Sequence, residues 1–183
     1  MQDQRAMKGR PQPPMGLLRR LDAIARAAFP AVTTALLMVL TSTPVGLPSA
    51  LPAVALGCVF FWSVFRPAAM SPPICFGMGL LQDLLGFAPL GTGILTLLLV
   101  HGLALRFRRF LVRQSFLVVW LIFSGFAAGT AALGFLLYAL LNLRLPSFAP
   151  AMAQFALSAG FYPAIAALLT RLHRAMRRAE DLA

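Results

Sequence analysis

Asp83 stands in the stretch GLLQDLLGFAPLGTG, residues 79–93, among Leu80, Leu81, Leu84 and Leu85. A carboxylate in such surroundings can tie two helices together by accepting hydrogen bonds. It can also couple to a cation or substrate, or reach water at an interface. Exposed to lipid it would cost at least ~2.5–3.5 kcal/mol, so its helix face must meet protein or a cavity. Gly79, Asp83 and Gly86 fall at i, i+4 and i+7, one face of a helix, and Cys75 extends that face by a turn. Glycines there admit a neighbouring backbone. The Gly91-Thr92-Gly93 backbone after Pro89 offers a helix start whose amides can donate to the carboxylate. His101 and Arg106 are further candidate partners, placed toward the far end of the next apolar segment.

The other polar groups within apolar runs point to packing before chemistry. Gln154, Ser158 and Tyr162 recur at i, i+4 and i+8, a polar face suited to interhelical hydrogen bonds or to a cavity or partner surface. His101 reads as a hydrogen-bonded neutral imidazole, with no metal-binding set nearby. Cys58 and Cys75 read as small apolar side chains. Gly125 and Gly129 form a small-xxx-small pattern continued by Ala128 and Ala132, and Ala23, Ala27, Ala31 and Ala35 make a second stripe. Such stripes let helices approach closely, inside one bundle or against a partner helix.

The chain holds no Walker loop, no His-Glu-x-x-His and no Gly-x-Ser-x-Gly. No second carboxylate within an apolar run can pair with Asp83 for acid–base work. The expectation is a protein that is not an enzyme, with no catalytic, cofactor-binding or metal-ligating residue and no cofactor.

The elements that position these residues follow from composition. Of 183 residues, 60% are hydrophobic and 11% charged, against about 25% charged in a soluble domain. The mean hydropathy is +0.82. That much apolar surface calls for lipid as solvent. Six apolar segments are expected: Phe29 to Ser42, Leu47 to Phe65, Pro73 to Phe87, Pro89 to Leu105, Phe116 to Leu141 and Ala149 to Thr170. Turn residues separate them, and their continuity excludes a barrel. No secretory signal is expected, because the N-terminal region is polar and basic.

The net charge of +11 is spread between the segments, which favours anionic lipid over nucleic acid. If all six segments cross and the N-terminus is cytoplasmic, every Lys and Arg except Arg144 faces the cytoplasm. The fold class expected is therefore an all-α integral membrane protein, a six-transmembrane-helix bundle with both termini cytoplasmic. It divides into a basic tail over 1–28, a membrane domain over 29–170 and a basic extension over 171–183. Leu17, Leu18, Leu21, Ile24, Ala25 and Ala28 give the tail an amphipathic interfacial helix, with Pro30 near a helix start.

Two markers in this layout carry a family resemblance. One is the Phe65-Arg66-Pro67 exit from the second segment. The stronger is Gly79-Leu-Leu-Gln-Asp83-Leu-Leu-Gly86-x-x-Pro89-Leu-Gly91. With six spans in this length, the chain resembles the MreD family of rod shape-determining membrane proteins. The resemblance covers the layout of the whole chain and the pattern of residues 65–96. It implies a role in the elongation machinery that builds peptidoglycan at the bacterial inner membrane, without a reaction of its own. The implied partners are an MreC-like single-span protein, an MreB-type filament, and RodA with its transpeptidase partner. The family is also similar in fold to the S-components of energy-coupling-factor transporters, which implies an architectural role for Gly79, Asp83, Gly86, Pro89 and Gly91. The alternative it leaves open is a small-molecule-binding transport subunit, with lipid or wall-precursor handling as a third.

Overall fold

The structure, a computed structural model, describes residues 17–42, 50–86, 89–143 and 146–181. Among these residues there are six helices and no strand: α1 (Leu17–Ser42), α2 (Ala50–Phe65), α3 (Pro72–Leu85), α4 (Thr92–Leu111), α5 (Phe116–Asn142) and α6 (Ala149–Asp181). The basic tail over 1–16 lies outside the described residues, as do the side chains of 17–26 that carry the expected amphipathic pattern.

α2 is the axis of the bundle. Every residue in it except Pro52 and Phe65 is buried, and it touches each of the other five helices. Its sequence is apolar all round, as full enclosure requires. Phe60 meets Phe123 of α5 and Tyr162 of α6 edge-on, at 5.3 and 5.9 Å between ring centres, while Phe123 stacks on Tyr162 at 4.0 Å. These rings lock α2, α5 and α6 together. The outward faces are apolar instead of charged: Leu36 and Leu40 of α1, Leu84 of α3, Leu121 and Leu140 of α5 are all more than half exposed.

Local signals set the helix ends. α3 begins with Ser71 in an extended conformation followed by Pro72 and Pro73, where the missing amides cost nothing. It stops at Gly86, whose amide donates to the Gln82 carbonyl at 2.8 Å. α4 begins at Gly91, held at φ 98°, a left-handed conformation that glycine adopts at no steric cost.

Several boundaries differ from the sequence-based expectation. α1 runs unbroken through Pro30, which lies inside the helix and not at a start. The hydroxyl of Thr34 adds a second donor to the Pro30 carbonyl at 2.7 Å; the bond lost to the proline is the one its missing amide would give four residues back. α4 continues past Leu105 to Leu111, because Arg106, Arg108 and Arg109 end the apolar run without ending the helix. The sixth helix agrees with expectation: the basic stretch after Thr170 is expected to extend it, and α6 runs to Asp181 as one helix of 33 residues, about 50 Å long.

Two helices are long and apolar enough to cross a membrane, α5 and the Ala149–Ala175 part of α6. Ala27–Ser42 and α2 are apolar but shorter.

The two ends of the bundle differ. Arg108 Nε donates to the Val64 carbonyl at 2.8 Å, and Trp62 meets the His173 ring edge-on. The C-terminal parts of α2, α4 and α6 therefore share one end, which also carries Arg66, Arg109, Arg113, Arg171 and Arg174. The opposite end gathers the start of α2, the end of α3, the start of α4, the end of α5 and the start of α6 around one cavity.

Candidate functional site

The cavity end is built around Asp83. Its side chain is 4% exposed and closes the turn between α3 and α4. The Gly91 amide donates to Oδ2 at 2.7 Å and the Gly93 amide to Oδ1 at 2.8 Å. These are two of the orphan donors at the start of α4. The carboxylate satisfies them and neutralises the positive end of the helix dipole. His101 and Arg106 take no part in this arrangement.

Glycines make the contact possible. A β-carbon on Gly79 would collide with the backbone of Ile94, and one on Gly93 would lie 2.5 Å from Asp83 Oδ1 and 3.0 Å from Gln82 Nε2. Gly79 and Asp83 are buried, whereas Gly86 lies just past the end of α3 and lines the cavity. Pro89 also lines it, and its carbonyl accepts the Thr92 hydroxyl at 2.8 Å.

The cavity encloses about 650 Å³ between α2, α3, α4, α5 and α6. Leu51, Leu56, Leu97 and Phe135 supply apolar wall, and Gln82, Thr96, Thr130, Tyr138 and Gln154 supply polar groups. Of the polar face expected on α6, only Gln154 reaches this space. Ser158 bonds back to the Gln154 carbonyl of its own helix at 2.7 Å, and buried Tyr162 is stacked on Phe123. That face therefore does not act as one hydrogen-bonding strip between helices: Ser158 is satisfied locally and Tyr162 packs by its ring.

A second space of about 480 Å³ opens on the outside between α4 and α5. Gly125 and Gly129 form its floor, with Leu99, Leu103 and Leu133 among its walls. A β-carbon on either glycine would meet nothing within 4 Å. The expectation that this pair packs helices within the bundle is corrected: among the described residues the glycine face is open. Ala27 and Ala35 of the other small-residue stripe are exposed and half-buried, respectively.

One buried polar pair was not readable from spacing. Ser63 Oγ of α2 lies 2.8 Å from Nδ1 of His101 in α4, although 38 positions separate them. Only the packing of α2 on α4 brings them together. Cys58 and Cys75 are buried free thiols. Among the described residues no three His, Cys, Asp or Glu side chains are grouped to hold a metal ion.

Compared with protein-family models, curated proteins and solved structures, the chain finds no match.

Proposed function

We infer that this chain is a non-enzymatic membrane scaffold of the MreD type, acting in the rod-shape elongation machinery of the bacterial inner membrane. On this reading all six helices cross the membrane, the short α2 and α3 being held by their neighbours. Both termini are cytoplasmic, and the cavity end faces outward. The gathering of arginines at the opposite end supports that orientation, since basic residues stay on the cytoplasmic side. Anionic lipid would hold that end in place.

The observation that carries the reading is the glycine-floored groove between α4 and α5. Within a bilayer, helices associate through close van der Waals packing at small residues. Gly125 and Gly129 expose such a floor, and Leu99, Leu103 and Leu133 flank it. The occupant is the transmembrane helix of an MreC-like single-span partner. Through it the bundle would position RodA and its transpeptidase partner outside relative to an MreB-type filament inside.

The test is gentle solubilisation of the tagged full-length chain from its own membrane, with mass spectrometry of the proteins recovered. A single-span protein with wall-synthesis enzymes is expected. Gly129→Leu should cut its recovery about tenfold, a loss of about 1.4 kcal/mol, with the yield of the chain unchanged. Recovery of an energising ATPase module in place of the single-span protein would overturn the scaffold in favour of a transport subunit.

A further inference from the structure

The cavity beside Asp83 is a separate space from the glycine-floored groove, and its walls have a chemistry of their own. Its volume of about 650 Å³ falls within the ~300–1,000 Å³ of small-ligand sites. Gly86, Ala131, Gly134 and Ala151 leave the space open by lacking bulk. Polar groups enter from four helices: Gln82 from α3, Thr92 and Thr96 from α4, Thr130 and Tyr138 from α5, and Gln154 from α6.

Most of these groups are poised to accept. Thr92, Thr96 and Thr130 each donate their hydroxyl hydrogen to a backbone carbonyl, of Pro89, Thr92 and Ala127. Their oxygen lone pairs remain for a ligand. Among the described residues Gln82 Oε1 is buried with no hydrogen-bond partner, a state that costs free energy until a donor arrives.

The walls also exclude charge. Among the described residues no side chain lining the cavity is charged at neutral pH, and an unpaired charge is expensive to bury. Asp83 stands behind Gly93 and would repel an anion, while both its oxygens are already engaged by amides and offer a cation little.

We propose that this cavity binds the uncharged, hydroxyl- or amide-bearing group of a small molecule. Its donors meet the threonine and glutamine oxygens, and its apolar face meets Leu51, Leu97 and Phe135. The group belongs either to a free solute entering at the cavity end or to the head of an uncharged lipid. Thr130 lines both the cavity and the α4–α5 groove, so a lipid chain lying in the groove would run beside a head group held in the cavity. This site lies beyond the scaffold role, and the binding of a free solute does not depend on it; a lipid chain would share the α4–α5 groove with the partner helix.

The test uses the full-length chain in nanodiscs, carrying Cys58→Ala, Cys75→Ala and Ala151→Cys, and measures the rate of maleimide labelling. The probes are methyl glucoside, octyl glucoside below its micellar concentration, and octyl sulfate. Protection by methyl glucoside identifies a free solute's chemistry; protection by octyl glucoside alone identifies a lipid head with its chain. Octyl sulfate should not protect. Gln154→Ala and, separately, Gln82→Leu should raise the glucoside concentration needed by about tenfold. Leu143→Cys, 91% exposed at the same end, should label at one rate throughout. The proposal is overturned if neither glucoside protects, if octyl sulfate protects equally well, or if protection survives both substitutions.

Discussion

The indole of Trp120 in α5 donates to the carbonyl of Ala159 in α6 at 2.9 Å. Pro163, inside α6 and four residues on, has no amide to give that carbonyl. The tryptophan supplies the missing donor from the neighbouring helix. Trp120→Phe should therefore destabilise the chain by about 1–2 kcal/mol. In the Pro163→Ala background, where the helix regains its own donor, that cost should largely vanish. Thermal unfolding of the two single variants and the double variant in detergent measures the coupling; additive losses would break the link.

Asp83→Ala removes two charge-assisted hydrogen bonds, each about 1.5–3 kcal/mol, and leaves the Gly91 and Gly93 amides without their acceptor. Folded yield and unfolding temperature should both fall. Asp83→Asn keeps one acceptor but turns an NH2 group toward the other amide, so its stability should lie between alanine and wild type. A fully stable Asp83→Ala chain would show that the turn holds without the carboxylate.

The two glycines flanking this contact should respond differently. Gly79→Ala drives a methyl into the backbone of Ile94, which no rotamer change relieves, so α3 and α4 must separate and folded yield should collapse. Gly91→Ala meets open space and costs only its left-handed conformation, about 1–2 kcal/mol. Size-exclusion profiles of the two purified variants distinguish these outcomes.

Leu143 ends α5 in the left-handed region at φ 49°, a conformation a branched side chain adopts at a cost. It is also highly exposed, so little packing is lost by removing it. Leu143→Gly should raise stability by about 1 kcal/mol. Thermal unfolding in detergent checks it; an unchanged midpoint would show that the left-handed conformation costs this residue nothing.

The existence of the six helices could be read from apolar run length, because only Pro, Gly and Asn clusters interrupt it. Their ends could not, since charge marks where lipid compatibility stops and not where the helix stops: α4 runs on through Arg106 and Arg109 to Leu111. The partners of Asp83 were legible because Gly91 and Gly93 lie within ten residues of it, on the next helix start. The Ser63–His101 pair was not, because nothing in either segment encodes which faces of α2 and α4 meet. Gly125 and Gly129 show a further limit: their spacing says a helix can come close, and only the fold says that the side left open is the outer one.

The enclosure of α2 bears on how such a chain is made. On the six-span reading, α2 enters the bilayer before α4, α5 and α6 exist to wrap it. During that interval its apolar surface is solvated by acyl chains, which are as apolar as the leucines that later replace them. Assembly then exchanges lipid for protein with little hydrophobic gain, so fit of shape must supply the drive. α2 therefore acts as a template whose volume is read by its five neighbours, and errors in bulk at Trp62 or Phe60 would stall biogenesis at a half-wrapped intermediate.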